Sequence, residues 1–181
     1  MIKVTVKQLK DALLRKDAPL FTGELNLTLV GIRATDTGTF KDRLCVLHED
    51  AEGKTQMKTY PIMTDILKPG HYPDCWQIGS HQGKYIALVQ RGPMTICRNA
   101  HQEQTGYFGI NLHRTGVNPH SLQSDTVSAG CQVFANADDF DAVMALAQQS
   151  AAKHGNRFSY TLLDEVDVCQ PAQSKEAQAH A

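Results

Sequence analysis

The chain has 181 residues, room for one well-packed domain and little for two. Hydrophobic residues make up 41% and charged residues 20%, with a formal net charge of -1; this composition carries no basic field to gather nucleic acid or anionic lipid headgroups. No apolar run approaches the roughly 20 residues of a membrane span, and the opening MIKVTVKQLKDALLRKDAPLF lacks the apolar core and cleavage site of a secretory signal, so the expectation is a chain that is cytoplasmic at synthesis.

In chain order, Val6, Leu9 and Leu13 recur at helical spacing between Thr5 and Lys16 and predict an amphipathic helix. Leu25, Leu27 and Leu29 then alternate with polar neighbours as a strand would. Leu44 to Leu47, the polar stretch 49–54 and a second alternating run to Ile62 predict a β-hairpin. Pro69-Gly70 and Gly79 punctuate the next stretch, and Tyr85 to Gln90, Met94 to Cys97 and Tyr107 to His113 each read as strands. Asn136 is a good N-cap for a helix whose apolar face is Phe140, Val143, Met144, Ala147 and Ala151, stopping near Gly155. Phe158, Tyr160 and Leu162 alternate in a last strand. One domain over 1–169 is expected, and the tail from 170 to 181, with almost nothing to bury, is expected to be flexible.

Five cysteines, Cys45, Cys75, Cys97, Cys131 and Cys169, are an odd number without a CxxC pair. They fit neither a disulfide framework nor a zinc ribbon; a reduced compartment is expected, with all but Cys131 packed as small hydrophobes. Eight histidines invite a metal, but His71, His81, His101, His113 and His120 show no H-x-x-x-H pattern, and none is expected.

Chemistry concentrates where His113 closes the run Gly109-Ile110-Asn111-Leu112-His113 and Ser128-Ala129-Gly130-Cys131 follows after a polar loop. A cysteine at neutral pH is mostly thiol, and a nucleophilic one needs an imidazole or other positive group to hold it as thiolate. His113 is the candidate for that group. Gly130, lacking a Cβ, lets the chain turn tightly and lets a carbonyl substrate approach backbone N–H groups that would stabilise an oxyanion. Small Ala129 and Ser128 extend that approach. By itself a Ser-x-Gly-Cys string is weak, because a lone cysteine at a strand start is more often a buried structural residue.

Together, GINLHRTG followed by SAGCQVF resembles the L,D-transpeptidase family of the YkuD type, whose signature places a His on a strand, then a loop, then Ser/Thr-His-Gly-Cys. Lys68-Pro69-Gly70-His71-Tyr72 resembles that family's Pro-x-Gly-x-aromatic turn, and the likeness covers residues 40 to 165. Two positions depart from the pattern: the second motif His is Ala129 here, and the Asn or Arg two places after the Cys is Val133. The resemblance implies a mainly β (α+β) fold, a curved sandwich or barrel-like sheet with an N-terminal helix and one helix after the nucleophile strand. It also implies a triad: Cys131 attacks, His113 takes and returns the proton, the Arg114 carbonyl orients the imidazole, and the Gly130 and Cys131 amides line the oxyanion hole.

The implied partner is the peptide stem of peptidoglycan, or a muropeptide, cut between the L-centre of a diamino acid and the terminal D-alanine, with no cofactor. Water as acceptor would make an L,D-carboxypeptidase, a stem amine a cross-linking L,D-transpeptidase, and a free D-amino acid an exchange enzyme; the sequence does not choose among them. Such an enzyme would trim soluble precursors or fragments inside the cell, or reach the periplasm by a non-classical route. The rival reading is a non-catalytic peptidoglycan-binding module of the same fold, in which Ala129 and Val133 mark lost turnover.

Four further residues have two readings each. The Arg114 fork could grip a substrate carboxylate or simply face solvent. His81, between Gly79 and Gly83, could line the mouth of the site and bind substrate, or be a solvated loop histidine. Tyr72 and Trp76 could wall a peptide groove, although the single Trp of a small domain is more often core.

Overall fold

Thr5 caps the first helix, α1 (Val6–Arg15): its hydroxyl accepts from the Gln8 N–H while the Gln8 side chain accepts from the Thr5 N–H. This reciprocal box satisfies two donors that a helix start otherwise leaves open. The computed structural model describes residues 3–36, 38–98, 102–115 and 130–169. Among these, after α1, come β1 (Thr28–Arg33), β2 (Asp42–Glu49), β3 (Thr55–Met63), β4 (Gly70–His81), β5 (Tyr85–Gln90), β6 (Met94–Arg98), β7 (Gln102–Gly106), β8 (Leu112–Arg114), β9 (Gln132–Phe134), α2 (Ala137–His154), β10 (Phe158–Asp164) and α3 (Glu165–Cys169). The described residues are mainly β, with one large sheet and three helices.

That sheet closes on itself in the order β1-β10-β4-β5-β8-β9-β3-β2, while β6 and β7 form a separate two-stranded ribbon. Pairs β1–β10 and β8–β9 are parallel; the others in the barrel are antiparallel. Closure leaves the eight described barrel strands without a free edge, while the β6–β7 ribbon keeps its own.

Successive side chains on a strand face opposite ways, and several strands here are buried on both sides. Leu29, Leu44, Val46, Tyr160 and Leu162 join the main core, which α2 closes with Phe140, Val143, Met144 and Ala147. The alternate positions Val30, Ile32, Cys45, Leu47 and Leu163 form a second cluster under Leu9, Ala12 and Leu13 of α1 and Val168 of α3. Two-sided burial is why β1 and β2 read as near-continuous apolar runs rather than alternating ones.

The expected helices, the β2–β3 hairpin, β5, β6 and β10 stand where the sequence placed them. Four expectations change. The first strand begins at Thr28, because Leu25 has a positive φ of 58° and only the isolated bridge Glu24–Glu49 precedes it. Residues 70–81, read as punctuated by glycines, are the longest of the described strands: Gly79 pairs with Ala87 inside a ladder running from Trp76–Gln90 to His81–Tyr85. The segment from Tyr107 becomes strand only at Leu112, and Gln102–Gly106, too polar to signal a strand, pairs with β6 through its backbone. Lastly, Glu165–Cys169 is a short helix that the sequence reading left out. The tail from 170 lies outside the described residues.

Candidate active site

Among the described residues the barrel is most thinly laddered around β8, which pairs with β5 through Leu88–Leu112 and with β9 over Leu112–Gln132, His113–Val133 and Arg114–Phe134. Side chains supply the missing links. The Asn111 Oδ1 accepts from the Gln90 N–H at 2.8 Å. The Gln90 amide grips the segment before β8 at both ends, its Oε1 accepting from the Phe108 and Ile110 N–H groups at 2.9 Å and its Nε2 donating to the Gly92 and Gly106 carbonyls. The Trp76 indole N–H donates to the Ile110 carbonyl at 2.8 Å from the core side.

This clamped segment receives the thiol. Cys131 precedes β9, and the bond from the Gln132 N–H to the Asn111 carbonyl, 2.8 Å, holds it beside the start of β8. Its Sγ lies 3.4 Å from the Asn111 N–H, which donates to it, and itself donates to the Gly109 carbonyl at 3.3 Å. The Asn111 N–H is thus aimed at the atom that would carry the thiolate charge. Two constraints keep Gly130 a glycine: its φ is +113°, and an added Cβ would sit 2.6 Å from the Ile110 Cδ1. Its carbonyl accepts from the buried Gln132 Nε2 at 3.2 Å, while the Gln132 Oε1 accepts from the Tyr160 hydroxyl at 2.6 Å. Gly31 completes the chain of support, because a Cβ there would lie 1.8 Å from that hydroxyl.

His113 pairs with Val133 on the parallel neighbour, so its Cα lies about 8 Å from that of Cys131, taking a strand spacing of ~4.8 Å and a rise of ~3.3 Å per residue. The ring is only 7% exposed. Its Nδ1 is 3.0 Å from the Arg114 carbonyl; facing an acceptor, Nδ1 carries the proton and leaves Nε2 free as a base. Burial pushes the imidazole below the usual histidine range, with the Arg114 carbonyl opposing that and His81 adding to it. The Tyr85 hydroxyl donates to the same Arg114 carbonyl at 3.0 Å. Burial raises Tyr85, the Arg114 carbonyl and guanidinium oppose the rise, and the neighbouring Cys131 adds to it.

The structure therefore brings Cys131, Gly130, His113 and the Arg114 carbonyl together at one seam. His81 joins them at the end of β4, 7% exposed and stacked on His113 with ring centroids 4.3 Å apart, so the solvated-loop reading fails. The Arg114 guanidinium lies over the Tyr85 ring, 4.8 Å from its centre. A groove of about 300 Å³ between β5 and α2 is lined by both, with Phe140, Asp141, Met144 and Gln148. Tyr72 is 7% exposed in the core and its hydroxyl is committed to the Lys68 and Thr95 carbonyls, which corrects its expected place on a groove wall. Trp76 is core. Ser128 and Ala129 lie outside the described residues. Cys45 and Cys75 are buried, and desolvation raises both thiols, Cys45 to about 11. Cys97 is half-buried and Cys169 exposed, so two of the four cysteines expected in the core are not fully in it.

The sequence reading missed Asn111, Tyr85 and Gln90. Asn111 had a signal, since it stands two places before His113 and so shares its strand face. Gln90 had none, because its role exists only once β5 lies beside the 106–110 segment. Among the described residues, no group of three or more His, Cys, Asp or Glu could hold a metal ion, and no helix is long and apolar enough to cross a membrane. No protein-family model matches the chain, and no curated protein matches it.

Proposed function

We propose that this protein is a cysteine-dependent L,D-peptidase that acts on tetrapeptide stems of peptidoglycan through a thioester acyl-enzyme, on a barrel of L,D-transpeptidase type. The observation that carries the reading is the seating of Cys131 immediately before β9, beside the parallel neighbour β8 that bears His113, with the His113 Nδ1 held by the Arg114 carbonyl. In the proposed reaction the Cys131 proton passes to the His113 Nε2 and the sulfur attacks the carbonyl that precedes the terminal D-alanine. The Gly130 and Cys131 amides would receive the oxyanion. As the tetrahedral adduct collapses, the C–N bond breaks, His113 returns its proton to the departing D-alanine amine, and the stem remains as a thioester on Cys131. Water, a stem amine or a free D-amino acid then takes the acyl group and restores the thiol.

The test is incubation of the protein and its Cys131→Ala variant with a tetrapeptide-stem muropeptide, with and without a D-amino acid, followed by mass analysis. Loss or exchange of the terminal D-alanine is expected only with Cys131 present, and the product names the acceptor. If muropeptides, soluble precursors and polymeric wall all stay intact, the peptidase reading falls and a binding module becomes the better account.

A further inference from the structure

Two imidazoles, not one, are buried at this seam, and their hydrogen bonds assign them opposite tautomers. The Asn111 Oδ1 is occupied by the Gln90 N–H, so the other end of that amide, Nδ2, is what faces the His81 Nδ1 at 3.0 Å. An NH₂ group only donates, so the His81 Nδ1 must be the bare acceptor and its proton sits on Nε2. His113 is the reverse, with its proton on Nδ1 toward the Arg114 carbonyl. The His81 and His113 rings are nearly parallel, 18° between planes, and the Tyr85 ring also lies against His81 with centroids 5.3 Å apart.

We propose that His81 is a positioning residue for the Cys131–His113 pair: Asn111 locks it as a neutral imidazole, and its flat face holds the His113 ring in plane while that ring gains and returns a proton. Protonating His81 would set an N–H against the Asn111 N–H₂, and the amide cannot turn over without losing the Gln90 bond. A neutral ring face accepts a stacked cation, as aromatic rings do, whereas a second positive charge at that distance would oppose protonation of His113. The groups facing the pair are Lys84 and Tyr85 beside His81, and Arg114 and Cys131 beside His113 and Tyr85, with Asp141 of α2 across the groove from Arg114. Burial and Lys84 both act on His81 in the direction of the neutral form.

The inference rests on the reading of His113 as the base for Cys131, and two readouts that need no peptidoglycan test it. Nitrogen-15 correlation spectra of the imidazoles are expected to show His81 with its proton on Nε2 and His113 with its proton on Nδ1, and His81 neutral at pH values where an exposed histidine is charged. The second readout is the rate of iodoacetamide alkylation at Cys131 against pH, in the protein and in Asn111→Asp. The carboxylate should draw a proton onto His81 and place a charge over His113. The alkylation profile should then move to higher pH, by about tenfold in rate near neutrality for each pK unit of repulsion.

A His81 ring protonated on Nδ1, a His81 that titrates like an exposed histidine, or an Asn111→Asp profile superimposable on the parent would overturn the assignment. The tautomer measurement needs no variant and so decides even if Asn111→Asp fails to fold. A protein inert toward muropeptides but with these tautomers and this shift would lose the peptidase reading and keep the role of His81.

Discussion

At Gly130 a single hydrogen decides whether the turn before Cys131 keeps its shape. Its positive φ strains any L side chain, and the space a methyl would need is held by Ile110, with Ile66 and Ile96 close behind. Gly130→Ala is expected to cost about 1–3 kcal/mol, read from urea unfolding, and to slow Cys131 alkylation because the turn that aims the thiol must shift. An unchanged midpoint would mean that the loop yields freely. The same logic of small groups placed for a neighbour runs from Gly31 through Tyr160 and Gln132 to the Gly130 carbonyl; one face of the site is thus built from inside the barrel.

Elements meet at this seam with few ladder bonds, so one side chain has an outsized effect. Gln90 makes four hydrogen bonds to the backbone around residues 92 and 106–110, doing for that segment what a neighbouring strand would. Gln90→Ala leaves two N–H groups and two carbonyls to find water or go unpaired, an expected loss of about 2 kcal/mol. The diagnostic measurement is amide hydrogen exchange: Phe108, Ile110 and Asn111 should exchange faster in the variant, while β2 and β3, across the barrel, keep their protection. Uniform acceleration everywhere would show a general loss of stability instead of a local release.

For the molecule as a whole, three histidines set the acid limit. Burial pushes His71, His81 and His113 below the usual histidine value, with Lys84 adding to the effect at His81 and His81 at His113. Their folded values lie below the unfolded one of about 6.5, so the unfolded chain binds more protons at mildly acid pH. The stability they contribute is fully present above that value and is lost as pH falls through the lowered folded values. Asp50 and Glu165, held down chiefly by hydrogen bonds from Gln56 and from Thr35, are exposed and act only at lower pH. The thermal midpoint is therefore expected to hold from pH 8 to 7 and to fall below pH 6.5. A flat midpoint down to pH 5 would contradict the burial of these rings.

Read alone, the sequence already contained the two long helices, the β2–β3 hairpin, the strand 85–90 and a last strand through Phe158, Tyr160 and Leu162, and it pointed to His113 with Gly130-Cys131 as the candidate site. Those features are local: periodicity, an N-cap and the residue types that thiolate chemistry requires all act over a few neighbouring positions. Tertiary structure decided what depends on partners distant in the chain. It closed the sheet into a barrel, made Gly70–His81 a strand despite its glycines because β5 and β10 lie alongside it, and drew Tyr72 into the core. It also set His81 against His113, across 32 positions of chain, with Asn111 and Gln90 to hold it there. No local pattern encodes such contacts, because a hydrogen bond between side chains on different strands exists only when the register of those strands brings donor and acceptor within 3 Å or so of each other.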